Sequence, residues 1–369
     1  MWIPILQTTG SVTLISVVLA IVISFAEKLL NNYGTCKIDI NDGEKVLEVE
    51  GGSSLLSTLA AQKIFIPSAC GGKATCGLCK VQVKIGAGPL LPTEEPYLSA
   101  KERTDQFRLA CQIKVKNDMT ILIPPELFSI KEYIGLVEKI TDLTHDIKRV
   151  SMKLQDNETI SFKAGQFVQF YTKPYGKISE TVFRAYSVAS PPADNTHVDL
   201  IIRKVPDGIA TGYAHTALKE GDEVRLSGPY GDFYRRGGEG VNTLVMIAGG
   251  SGMAPMYSLI YDIIGKGLDY QMYYFFGAVT TRDIFYLDEF RALEKEHPNF
   301  HFIPALSGST EGDGWTGEKG TVVDVMLRHI PNADGKEAYL CGGPGMLNAS
   351  TNALRTIGFT DETIFFDKF

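Results

Sequence analysis

Four cysteines in two short stretches restrict this chain more than any other feature. The run Cys70-Gly-Gly-Lys-Ala-Thr-Cys76-Gly-Leu-Cys79 sets three thiols at Cys-x5-Cys-x2-Cys, and the fourth, Cys111, follows after 31 intervening residues in Arg108-Leu-Ala-Cys111-Gln-Ile. A loop that wraps an inorganic group and points N–H groups at it needs small residues, and Ala69, Gly71, Gly72 and Gly77 provide them. Structural zinc usually takes two Cys-x2–4-Cys hairpins. Here one such hairpin is completed by a lone distant thiol, so the spacing favours an iron–sulfur group held by Cys70, Cys76, Cys79 and Cys111.

A chain of 369 residues has room for two or three domains, each with its own core. The net charge of −7 and the lack of a long basic run argue against nucleic acid as a partner. Beyond the four thiols above, only Cys36 and Cys341 remain, far apart in sequence, so a disulfide framework is not expected and a reducing compartment fits. Cys36 falls on a first strand, away from the cysteine loop, and reads as a buried or membrane-proximal thiol. The six histidines (145, 197, 215, 297, 301 and 329) show no ligand spacing, and no nucleophile–base arrangement points to hydrolysis.

The first 26 residues carry no charge. A spanning helix needs about 20 mostly apolar residues, so this length suffices for a transmembrane anchor, placed at residues 1–33. A signal peptide would carry a positive leading region, and no Lys or Arg precedes Lys28. Basic residues only after the run put the large remainder in the cytoplasm. Thr8, Thr9, Ser11, Thr13 and Ser16 suit packing against neighbouring helices.

Beyond the anchor the hydrophobic period changes twice. Alternating strands at 36–40, 45–50, 80–85 and 120–123, with a helix opened by Ser53-Ser, surround the cysteine loop and define residues 34–129. Six short strands between 134 and 228 at regular spacing suggest a small antiparallel barrel over 130–239. Over 240–369, apolar strands at 243, 271, 300 and 337 alternate with helical patterns, as in a doubly wound parallel α/β sheet. There Gly249-Gly250-Ser-Gly252-Met-Ala-Pro255 opens a helix whose N-terminus attracts dinucleotide phosphate, and Cys341-Gly342-Gly343-Pro-Gly-Met346 follows another strand end.

These motifs resemble known families. The cysteine run is similar to the plant-type [2Fe–2S] loop, Cys-x4-Cys-x2-Cys, with one extra residue, and residues 34–129 look like its β-grasp domain. Arg184-Ala185-Tyr186-Ser187 matches the Arg-x-Tyr-Ser motif of the ferredoxin–NADP reductase superfamily, and Gly208-Ile209-Ala210-Thr211 resembles its Gly-x-x-Ser/Thr element. The resemblance implies FAD. Arg184 would fork onto the pyrophosphate, Tyr186 would lie on the isoalloxazine and Ser187 near its N5, while 208–211 would offer N–H groups to phosphate. Arg203 is counted with these cofactor-binding residues. The Cys-Gly-x-x-x-Met element would place the Cys341 thiol beside a nicotinamide, and the terminal Phe369 would stack on the flavin. Gly277 and Arg282 complete the nucleotide set, and one arginine beside Asp283 points to NADH rather than NADPH.

In the order anchor, ferredoxin, FAD barrel, NAD domain, the chain resembles the F-subunit family of Na+-translocating NADH:quinone oxidoreductases over nearly its whole length. The stretch from Phe170 to Arg184 is shorter than in the members compared. That resemblance implies an electron-input subunit in the bacterial inner membrane. It would pass electrons from NADH through FAD and the [2Fe–2S] cluster to other membrane redox subunits, and reach quinone only indirectly. A plant-type cluster, at about −400 mV, must be tuned upward if NADH is to reduce it readily. The alternative is a membrane-anchored NADH-dependent reductase serving an oxygenase or desaturase. A carrier or assembly subunit that no longer oxidises NADH sits poorly with the two intact glycine turns.

Overall fold

The computed structural model describes residues 13–22, 33–309 and 314–368, with the side chain of residue 368 excepted. The chain divides into two compact units, residues 1–66 with 72–129, and residues 67–71 with 130–369. Residues 13–22 form a helix (α1) whose Leu14, Ile15, Val17, Val18, Leu19, Ile21 and Val22 are exposed. Among the described residues no helix is long and apolar enough to cross a membrane. The rest of the expected anchor, apart from residue 33, lies outside the described residues.

The first unit is built on β1 (Thr35–Ile40), β2 (Lys45–Glu50), α2 (Leu55–Ala61), β3 (Lys80–Ile85), α3 (Ala100–Thr104), β4 (Phe107–Leu109) and β5 (Met119–Leu122). Its sheet runs β2-β1-β5-β3-β4, with β1 and β5 parallel and the other pairs antiparallel. Alternation decides which face is covered: Cys36, Ile38 and Ile40 point inward while Thr35 and Lys37 stay in water. Helix α2 begins where the Ser54 hydroxyl accepts from the Ser57 N–H at 3.2 Å, and it buries Leu55, Leu56 and Leu59. This is the expected β-grasp arrangement. Strand β4, which leads into Cys111, is only three residues long and too short to show a period.

The second unit begins with β6 (Lys131–Asp142), β7 (Ile147–Leu154), β8 (Phe167–Tyr171), β9 (Phe183–Ser187), β10 (His197–Arg203), α4 (Ile209–Thr216) and β11 (Glu223–Tyr230). The antiparallel order β10-β7-β6-β11-β8-β9 curls until its ends meet: Val188 bridges Leu200, and the Ala189 N–H donates to the Asp199 carbonyl at 2.8 Å. Val150, Met152, Phe170, Leu200, Ile202 and Leu226 fill the interior.

A parallel sheet follows in the same unit: β12 (Thr243–Gly249), α5 (Met253–Gly265), β13 (Gln271–Ala278), α6 (Leu287–Glu296), β14 (Phe300–Leu306), β15 (Glu318–Lys319), α7 (Val322–His329), β16 (Lys336–Gly342), α8 (Pro344–Thr356) and β17 (Ile364–Lys368). Its order is β15-β14-β13-β12-β16-β17, every pair parallel. Strand β12 is apolar from Leu244 to Ala248, and both of its faces are covered. Leu244, Met246 and Ala248 join a core with residues of α5 and α6, whereas Val245 and Ile247 join one with residues of α7 and α8. Strand order reverses between β12 and β16, so a crevice opens beyond their C-terminal ends. Barrel and sheet are joined by polar contacts: Ser258 on α5 donates to the Ser190 carbonyl at 2.8 Å, and Arg149 pairs with Asp199 and donates to the Tyr286 hydroxyl at 3.3 Å.

Candidate functional site

The loop from α2 to β3 carries Cys70, Cys76 and Cys79, and Cys111 sits just past β4. None of the four is in a disulfide, and Gly71, Gly72, Ala74 and Gly77 take left-handed φ, the conformation that lets so short a loop coil. A Cβ on Gly72 would sit 3.8 Å from that of Cys111, and one on Gly77 would strike the Tyr97 ring at 2.7 Å. The Cys79 and Cys111 thiols are hydrogen-bonded, which together with burial holds the Cys79 proton on well above the usual thiol range. Among the described residues no three His, Cys, Asp or Glu side chains are gathered as a ready-made ion site. The donor chemistry nonetheless fits an iron–sulfur group: sulfur ligands only, small residues around them, and two thiols already in contact that a metal would deprotonate.

In the second unit the barrel contributes β9. Arg184 is half-buried and donates to the Phe183 carbonyl at 2.6 Å. Tyr186 sets its ring edge against Phe170 at 5.8 Å, and burial pushes its hydroxyl pKa up, so it stays protonated. Ser187, at the strand's end, donates its hydroxyl to Asp367 Oδ2 at 3.0 Å. Gly208 is the N-cap of α4 with Ile209, Ala210 and Thr211 in the first turn, where the Thr211 hydroxyl reaches the Gly208 carbonyl at 3.3 Å.

The parallel sheet contributes the two glycine turns, which meet across the reversal point. A Cβ on Gly252 would lie 2.2 Å from the Cys341 carbonyl oxygen, and one on Gly249 would lie 3.2 Å from Met346 Sδ. Nothing larger than glycine fits where α5 starts against β16. Arg203, at the end of β10, is brought to the same turn: its Nη1 is 3.4 Å from where a Gly250 Cβ would be, while its Nε donates to Asp146 at 2.7 Å. Burial would raise the Asp146 carboxyl, but hydrogen bonds from Arg203 and Thr144 outweigh it and hold it low.

Pro255 is buried within α5, and Gly343 caps α8. Gly277 lies near the end of β13. Arg282 is exposed, beside Asp283 and 3.2 Å from His145. Cys341 is fully buried on β16, and burial together with the Asp367 carboxylate keeps its thiol protonated. Phe369 lies outside the described residues. Sequence reasoning missed Asp367, the residue that ties Ser187 to the Cys341 strand, since it pairs in register with Cys341 on β17.

Three family models match in the order of these elements: a 2Fe-2S iron-sulfur cluster binding domain over residues 38–116, an oxidoreductase FAD-binding domain over 135–234 and an oxidoreductase NAD-binding domain over 246–352. The F subunit of the Na(+)-translocating NADH-quinone reductase of Actinobacillus pleuropneumoniae is 35% identical over 398 aligned positions, covering 97% of each chain. Among solved structures, an Amycolatopsis cytochrome P450 reductase is 27% identical and matches 91% of this chain and 99% of its own with a TM-score of 0.73. The ferredoxin reductase of carbazole 1,9a-dioxygenase is 25% identical, covers 91% of this chain and 98% of its own, and has a TM-score of 0.69. Fold, glycine turns and thiol set together define an FAD- and NAD-binding iron–sulfur oxidoreductase. The chain belongs to the F-subunit family of the Na(+)-translocating NADH-quinone reductases, and it is an NADH-dependent electron-input subunit.

Proposed function

We propose that this chain takes electrons from NADH and delivers them to other membrane redox subunits of a sodium-translocating NADH:quinone reductase, itself reaching quinone only through them. The observation that carries the reading is the meeting, in one unit, of the flavin strand's Ser187 with Asp367 and of the glycine turn at Gly252 with Cys341. Bound FAD and the cluster would supply the redox chemistry, splitting an electron pair into single electrons.

The protein's part is binding and positioning. Arg184 offers a guanidinium fork to pyrophosphate, and the first turn of α4 offers N–H groups to phosphate. Tyr186 presents a neutral aromatic face. Ser187, oriented by Asp367, would offer its hydroxyl to the flavin's reacting edge. Gly249, Gly250 and Gly252 let a dinucleotide approach the start of α5, with Arg203 beside them, while Gly342, Gly343 and Met346 shape the facing wall. Cys341 lines the strand behind them, and Gly277 the end of β13. Cys70, Cys76, Cys79 and Cys111 would hold the cluster. Arg282, paired with Asp283, supports NADH over NADPH because an acid beside the cation disfavours a 2′-phosphate.

The uncharged run at 1–26 and the exposed apolar side chains of α1 support a single-pass anchor in the bacterial inner membrane, with both units in the cytoplasm. The likeness to two reductases that serve oxygenases supports the second reading, a reductase component of such a system. Mild detergent extraction followed by identification of the co-purifying subunits separates the two. Multispan redox partners are expected, and an oxygenase in their place would overturn the assignment.

A further inference from the structure

The loop between β3 and β4 does more than connect strands. Its Glu94 is fully buried and takes a bidentate fork from Arg108, Nε to Oε1 at 2.9 Å and Nη2 to Oε2 at 2.6 Å, while the N–H groups of Leu109 and Leu91 donate to the same two oxygens at 2.9 and 3.0 Å. Arg108 spends its remaining N–H groups on the carbonyls of Ala87, Gly88 and Pro89 at 3.3, 2.9 and 2.9 Å. Every donor and acceptor of this buried pair is used, so the loop is pinned.

One residue before Glu94, the Thr93 hydroxyl donates to Gln112 Oε1 at 2.8 Å, and Gln112 Nε2 donates to Cys111 Sγ at 3.7 Å. The orientation of the amide follows from electrostatics. Its oxygen would repel an electron-rich sulfur, so the NH2 end faces Cys111 and the oxygen takes the threonine proton.

We infer that Gln112 is a donor to the cluster's Cys111 sulfur that raises the cluster's reduction potential, and that Thr93 is the positioning residue that aims it. This rests on the proposed role of Cys111 as a cluster ligand. A hydrogen bond to a ligand sulfur stabilises the more negative, reduced cluster, which moves the potential in the direction electron uptake from NADH requires.

The test is an anaerobic redox titration of the full-length, detergent-purified protein followed by electron paramagnetic resonance. Gln112→Leu should lower the potential by a tenfold change in the one-electron equilibrium, about 59 mV. Gln112→Glu, which keeps the size but replaces the donor with a carboxylate, should lower it further. Thr93→Val should shift it the same way by less, Thr93→Ser should restore it, and the Gln112→Leu/Thr93→Val double variant should match Gln112→Leu alone. Unshifted potentials in iron-loaded Gln112→Leu and Gln112→Glu, or a Thr93 effect that adds to that of Gln112, would overturn the inference. Absence of iron and acid-labile sulfide from the unaltered protein would instead overturn the iron–sulfur reading beneath it.

Discussion

Asp367 accepts the Ser187 hydroxyl at 3.0 Å while its charge bears on Cys341, so one carboxylate fixes groups from the barrel and from the parallel sheet. Removing the hydroxyl (Ser187→Ala) leaves the backbone of β9 intact and should lower kcat for NADH-dependent ferricyanide reduction about 10²-fold, the order lost when one well-placed hydrogen-bonding group is removed from a reacting site. Asp367→Asn should lose less and retain its flavin, measured by the same assay with bound-flavin absorbance as the control. Glu94 gives a different kind of prediction. Burial opposes its ionisation, yet bonds from Arg108, Leu109 and Leu91 outweigh that and hold its pKa below the ordinary value. Its stabilisation is therefore complete above the unfolded pKa of about 4.3 and is lost as pH falls through the lower folded value. Glu94→Gln should destabilise the protein at neutral pH by about 3–5 kcal/mol, since Arg108 is left buried and uncompensated. Its unfolding midpoint should also fall less steeply than that of the unaltered chain on acidification, as thermal melts across pH would show.

At the level of elements, the turn from β12 into α5 has no room for a side chain. Gly252→Ala would put a methyl 2.2 Å from the Cys341 carbonyl oxygen, which only backbone movement relieves. It should cost about 1–3 kcal/mol in thermal unfolding and raise the KM for NADH more than it changes flavin content. That turn was legible in the sequence because an apolar run from Leu244 to Ala248, a glycine cluster and a helical period occur in succession, each dictated by local chemistry. The barrel strands were legible for the same reason, and Ser54 marks the start of α2 by its own hydroxyl. What escaped was set by tertiary placement. Asp367 stands 180 residues from Ser187 and reads in sequence only as a charge in an aromatic tail. Glu94 and Arg108 look like ordinary surface charges until the fold closes over both. The short β4 and the two-residue β15 carry no period to detect.

For the molecule as a whole, residues 72–129 carry Cys76, Cys79 and Cys111, while the unit that holds the flavin and nucleotide elements also includes residues 67–71 with Cys70. A chain beginning at residue 34 should move to the soluble fraction after cell lysis and keep NADH-dependent ferricyanide reduction, while losing co-purification with membrane partners. Persistence in the membrane fraction would refute the anchor. The central claim is that electrons pass from NADH through the flavin to an iron–sulfur cluster on this single chain. It is tested most directly by mixing the anaerobic, full-length protein with NADH and following the visible spectrum in a stopped-flow instrument. The account predicts rapid loss of the flavin absorbance followed by loss of the broad iron–sulfur absorbance. A flavin that stays oxidised, or one that bleaches while the iron–sulfur absorbance never changes, would contradict it.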